Sequence, residues 1–158
     1  MDIEASTDPA LIAEIKAAIT DRGGKTLLIV SYHDFEKTPP EQSLMHKLEE
    51  YAAWNPDILK IVTFANTDED NLKILRLIPL ARKNGQEIIS FCMGEKGRVS
   101  RVMSLLLGAY MGFASLDRGE ESAPGQLSLA EMIGVLSTLS GMDGEIQGRR
   151  GERVGRRF

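Results

Sequence analysis

Apolar positions recur along the chain in two periods. Leu11, Ile12, Ile15, Ala18 and Ile19 repeat at helical spacing, after Asp8-Pro9, an N-cap followed by proline at the first helical position, and before the stop signal Arg22-Gly23-Gly24. Thr26–Tyr32 is a short apolar run that reads as a strand and delivers His33 at its C-terminal end. His33–Pro40 reads as a loop. Glu41–Trp54, with Leu44, Leu48, Tyr51 and Ala52 on one face, reads as a helix closed by Asn55-Pro56. Asp57–Ala65 is again strand-like. Thr67 or Asp68 then caps a third helix, carrying Leu72, Ile74, Leu75, Ile78 and Leu80 and ending at Asn84-Gly85. Glu87–Met93 reads as a strand, Arg98–Leu107 as a helix stopped by Gly108, Tyr110–Leu116 as a last strand, and Leu127–Leu139 as a closing helix with Ser128 near its cap.

Strands separated by helices of this length predict repeated right-handed βαβ units and a parallel sheet. Four full strands are expected, with a stub of a fifth at Asp2–Ala5. At 158 residues the chain is one domain by length and short for an eight-stranded α/β barrel, which usually needs about 200 residues or more.

One charged residue interrupts this pattern. In Asp57–Ala65 the residues Ile58, Leu59, Ile61, Val62 and Phe64 suit a strand covered on both faces, and Lys60 lies among them. A buried ammonium must be paired, reach water along its stem, or titrate as the neutral amine. The last outcome makes a nucleophile able to form a Schiff base with a carbonyl.

Composition narrows the classes without naming one. Hydrophobic residues make up 42% and charged residues 27%, as in an ordinary globular domain, and no apolar run approaches the roughly 18 residues of a membrane span. The opening M-D-I-E-A-S is no signal peptide, so the cytoplasm is expected. Cys92 is the only cysteine, and His33 and His46 are the only histidines, which excludes an internal disulfide and disfavours a zinc site. Net charge is −4, yet Glu145–Phe158 carries five arginines against two glutamates. The body is therefore the more acidic part, which argues against nucleic-acid binding, while residues 142–158 read as a flexible Arg/Gly-rich tail.

In parallel α/β folds, reactive groups collect at the C-terminal ends of strands. On that scheme His33 ends the first full strand, Lys60 reaches the same mouth from the second, Arg101 lies on the helix after the third, and Ser122 and Gln126 bracket A-P-G in the loop after the fourth. An imine-forming lysine, an imidazole to move protons, an arginine for a carboxylate and two neutral hydrogen-bonders form a coherent set. Taken singly, each has a plainer reading as a structural or solvated residue.

Four strings carry a resemblance: Ser31–Pro39 (S-Y-H-D-F-E-K-T-P), Asp57–Ile61 (D-I-L-K-I), Met93–Arg101 (M-G-E-K-G-R-V-S-R) and Ser122–Gln126 (S-A-P-G-Q). Together they resemble the signature segments of type I 3-dehydroquinate dehydratase, in the family's order, from about Asp2 to Ser140. The resemblance implies dehydration of 3-dehydroquinate to 3-dehydroshikimate in the shikimate pathway, by syn elimination through an imine. It implies Lys60 as the Schiff-base residue and His33 as the base that takes the proton next to the iminium carbon and then protonates the departing hydroxyl. Arg101 would hold the substrate carboxylate, Ser122 and Gln126 the carboxylate and ring hydroxyls, and Phe35 and Met93 would supply apolar walls. No metal or organic cofactor is implied.

The family is an eight-stranded barrel, and the chain matches its later part: a partial (β/α)8 TIM barrel of about the last four to five units, spanning residues 1–141. The missing strands carry, in the family, an acidic partner of the catalytic histidine; Glu4 is not assigned that role. Exposed edges are expected at Asp2–Ala5 or Thr26–His33 and at Tyr110–Leu116. They predict a homo-oligomer or a complementing N-terminal half. A non-catalytic remnant or assembly subunit is the alternative function, and another imine-forming lyase or aldolase a third.

Overall fold

In the computed structural model, which describes residues 1–140, β1 (Asp2–Glu4), β2 (Ile29–His33), β3 (Ile58–Phe64) and β4 (Glu87–Met93) form one parallel sheet in the order β1-β2-β3-β4. Helices alternate with them: α1 (Pro9–Asp21), α2 (Glu41–Ala52), α3 (Glu69–Leu75), α4 (Leu77–Lys83), α5 (Arg98–Leu106) and α6 (Leu129–Ser140). The stretch 142–158 lies outside the described residues.

The sequence signals act where they stand. The Asp8 carboxylate accepts from the Ala10 N–H at 2.9 Å, with Pro9 behind it opening α1. Gly23 and Gly24 take positive φ and end the helix. Ser128 and Glu131 form a reciprocal cap on α6, the Glu131 carboxylate accepting from the Ser128 N–H at 2.9 Å and from its hydroxyl at 2.8 Å.

The central strand β3 and its neighbour β4 are covered on both faces, as their largely apolar character requires. Leu59, Ile61 and Ile88 point to the helical layer, where Leu44, Ile74, Leu77 and Ile78 are fully buried. Each such side chain contributes about 1.5–3 kcal/mol on burial. On the opposite face Ile58, Val62, Ile89, Phe91 and Met93 make a smaller apolar cluster.

Three expectations are corrected. The third helix is two helices, broken at Arg76, because Pro79 has no N–H to give the Leu75 carbonyl one turn earlier. It is also not capped by the side chain of Thr67 or Asp68; the Asp70 carboxylate instead accepts from the N–H groups of Asn66 and Thr67, both at 2.9 Å. Tyr110–Leu116 is not a strand. Its Tyr110 N–H donates to Ile88 O at 2.7 Å, but Ser115 bonds to Leu127 and Leu129 and makes only an isolated bridge with Ser128. Gly112 at the centre of this run further weakens it as a strand. The sheet edges are therefore β1 and β4, not β1 and 110–116.

Candidate active site

Strand register decides which polar residues meet. Lys60 pairs with Ser31, which in turn pairs with Glu4, and His33 stands two residues beyond Ser31 on the same strand. Side chains alternate along a strand, so Asp2, Glu4, Ser31, His33 and Lys60 share one face, the face of the smaller apolar cluster. Sequence reasoning brought Lys60 and His33 to one mouth, and the structure places them on one face of adjacent strands.

Lys60 is paired, the first of the three outcomes open to it. Its Nζ donates to Asp2 Oδ2 at 2.9 Å and lies 5.3 Å from the centre of the Phe113 ring. The Lys60 side chain is only 14% exposed. Asp2 Oδ1 accepts from the Ser31 hydroxyl at 2.6 Å. Burial alone would raise the Asp2 carboxyl, but the Ser31 hydroxyl and the Lys60 ammonium outweigh it and hold the carboxyl below its ordinary value.

His33 also has a carboxylate partner within the chain. Glu4 Oε1 lies 2.5 Å from His33 Nδ1, and the Phe35 ring stacks on the imidazole with centroids 5.6 Å apart and planes 14° from parallel. The sequence reading left Glu4 unassigned; the geometry puts it on the ring. Phe35 is exposed beside His33, whereas Met93 is 5% exposed and packed inside the apolar cluster.

Arg101, Ser122 and Gln126 form a second group. Arg101 is 2% exposed, and its Nη2 donates to the Pro124 carbonyl at 3.1 Å. Its Nε has no hydrogen-bond partner among the described residues. Burial pushes this guanidinium down to about 10, which still leaves it cationic at neutral pH. Gln126 Oε1 accepts from the N–H of Ser122 at 2.9 Å and from its hydroxyl at 3.1 Å. The Pro124 carbonyl also accepts from the Gly94 N–H at 2.9 Å, tying the loop to the end of β4. A cleft of about 460 Å³ opens here, lined by Glu95, Arg98, Ser122 and Gln126 among others.

Two aromatic rings join the groups. Arg101 sits 4.7 Å above the Phe91 ring, Phe91 is 6.0 Å from Phe113, and Phe113 lies under Lys60. The sequence reading does not single out Asp2, Ser31, Phe91 or Phe113, and it gives Glu4 no role. The alternation Asp2-x-Glu4 and Ser31-x-His33 was a usable signal for three of them, since it places acids and their donors on one side of paired strands. No local signal marked Phe113. Among the described residues no cluster of three or more histidine, cysteine or acidic side chains is arranged to hold a metal, and no helix is long and apolar enough to cross a membrane.

A 3-dehydroquinate dehydratase of Syntrophobacter fumaroxidans is 44% identical over 119 residues, covering 75% of this chain and 51% of that protein. One of Thermococcus gammatolerans is 38% identical over 141 residues, covering 89% and 61%. The chain thus spans between half and two thirds of the length of these curated relatives. The crystal structure of the 3-dehydroquinate dehydratase of Geobacillus kaustophilus superposes with a TM-score of 0.80 at 27% identity, over 90% of this chain and 54% of that one. That of the type I enzyme of Clostridium difficile, described with covalently modified comenic acid, superposes at 0.76 and 27%, over 89% and 54%. The α/β fold with its parallel sheet is thus similar to that of the dehydroquinases. The sequence model of the family described as "Type I 3-dehydroquinase" matches residues 1–143, and the chain belongs to that family.

Proposed function

We propose that this chain carries the Schiff-base chemistry of a 3-dehydroquinate dehydratase, acting in the shikimate pathway in the cytoplasm, as the last four to five βα units of a (β/α)8 barrel. The observation that carries the reading is the joint placement of Lys60 and His33 on one face, with the buried Arg101 guanidinium reached from Lys60 across Phe113 and Phe91.

In this mechanism the substrate ketone approaches Lys60, whose ammonium releases its proton to solvent water and gives up its hold on Asp2. The amine adds to the carbonyl carbon and water leaves, forming an iminium. The iminium withdraws electrons from the adjacent carbon, so His33 can take a proton there at neutral pH. The C–O bond of the neighbouring hydroxyl then breaks, its oxygen leaves as water with the proton that His33 returns, and hydrolysis of the iminium frees Lys60. Arg101 binds the substrate carboxylate, Ser122 and Gln126 the carboxylate and ring hydroxyls, Phe35 presents apolar surface, and Met93 backs the apolar wall from inside the cluster. A buried cation with an unengaged N–H suits an anionic ligand, because the charge-assisted bond recovers part of its desolvation cost.

Borohydride reduction in the presence of 3-dehydroquinate tests this. The expected result is a mass increase confined to the Lys60 peptide and absent from Lys60→Met. A folded protein with no adduct would point to a non-catalytic remnant or assembly subunit. The two open edges of the sheet suit a second copy or a complementing N-terminal half.

A further inference from the structure

We propose that Glu4 is a positioning residue that fixes the tautomer and the plane of the His33 ring. The inference rests on the reading of His33 as the base, but its structural core stands apart from activity. A carboxylate can only accept, so the 2.5 Å contact places the ring proton on Nδ1. The neutral ring then has its lone pair on Nε2, the opposite of an arrangement in which Nε2 carries the proton. Phe35, nearly parallel to the imidazole, blocks rotation out of that plane. Two constraints from different segments, a strand acid and a loop aromatic, leave one nitrogen to act as base.

The contact is part of a built array. Glu4 lies opposite Ser31, whose hydroxyl donates to Asp2 at 2.6 Å and stands 3.4 Å from Glu4 Oε1. Asp2 in turn holds Lys60. The charged groups beside His33 on this face are thus Glu4, Asp2 and Lys60, and a three-residue strand supplies an acidic partner to each of the two reactive side chains. The resemblance assigned the partner of the histidine to strands outside this chain; β1 supplies one from within it.

Long-range ¹H–¹⁵N NMR of the uniformly labelled full chain decides the point, because His33 and His46 are the only histidines and His46, on a separate surface of α2, is an internal control. In alkaline buffer the wild-type His33 should show the Nδ1–H tautomer, and Glu4→Ala should convert it to the Nε2–H form with His46 unchanged. A wild-type His33 in the Nε2–H form, or an unaltered tautomer in Glu4→Ala, would overturn the proposal, and the wild-type spectrum suffices should the variant not fold. With 3-dehydroquinate, Glu4→Ala should lose kcat about 10- to 100-fold, the scale of removing a ring's orienting partner, with KM unchanged and borohydride trapping retained. A rise in KM together with a loss of trapping, with kcat unchanged, would contradict the positioning role. Wild-type protein giving neither turnover nor adduct would remove the enzymatic reading while the nitrogen shifts still report the Glu4 contact.

Discussion

The Lys60 ammonium on β3 lies 2.9 Å from the Asp2 carboxylate on β1, a contact made over the intervening strand β2 between residues 58 positions apart in the chain. A lysine that interrupts an apolar strand is thereby held as half of an ion pair on the same face as His33.

Asp2→Asn should cost little stability, about 1 kcal/mol or less, since the Asp2 side chain is 42% exposed and solvent screens the pair. Its pH signature is more telling. The carboxyl is held below its ordinary value in the fold, so its contribution is present above the ordinary aspartate range and is lost as pH falls through the folded value. Denaturant midpoints measured down the acid limb should fall less steeply in Asp2→Asn than in wild type.

Arg101→Met should separate stability from binding. A buried guanidinium without a carboxylate partner is costly, so an apolar side chain of similar length should leave the denaturant midpoint unchanged or raise it. In turnover assays the same variant should raise KM about 10- to 100-fold, the loss expected for a hydrogen bond to a charged group.

Gly125 has φ +73°, and a Cβ there would stand 2.0 Å from the Gly94 carbonyl oxygen. Gly125→Ala combines a disfavoured backbone conformation with a collision against main chain, and should cost about 1–3 kcal/mol. Because the Pro124 carbonyl joins this loop to both Gly94 and Arg101, weaker substrate binding should accompany the lower thermal midpoint.

Glu131 is drawn down to about 2 by the Ser128 N–H and hydroxyl, with Arg118 adding a further hydrogen bond. A depressed carboxyl stabilises above its ordinary range and loses that contribution as pH falls toward about 2. Far-ultraviolet circular dichroism should show acid loss of helix in wild type over that window, and a lower but flatter helical signal in Glu131→Gln.

Much of this molecule follows from residues close in sequence. The boundaries of α1 lie in Asp8-Pro9 and Gly23-Gly24, and the cap of α6 in Ser128 and Glu131. The run around Lys60 reads as a strand covered on both faces, and it is one. Where local signals misled, another force prevailed. Pro79 removed the hydrogen bond that would have kept α3 and α4 continuous, and the residues after Tyr110 spent their backbone bonds on 127–129 instead of on β4.

By itself the sequence determined the alternation of strands and helices, the family strings and the reactive residue types, because periodicity, caps and turn residues act over a few positions. Only the tertiary structure decided which carboxylate meets which base. A shift of one residue between β1 and β2 would turn Asp2 and Glu4 to the other face, so the array depends on register, which is set by packing across the whole sheet. The same packing brought Arg101, Phe91 and Phe113 into line with Lys60.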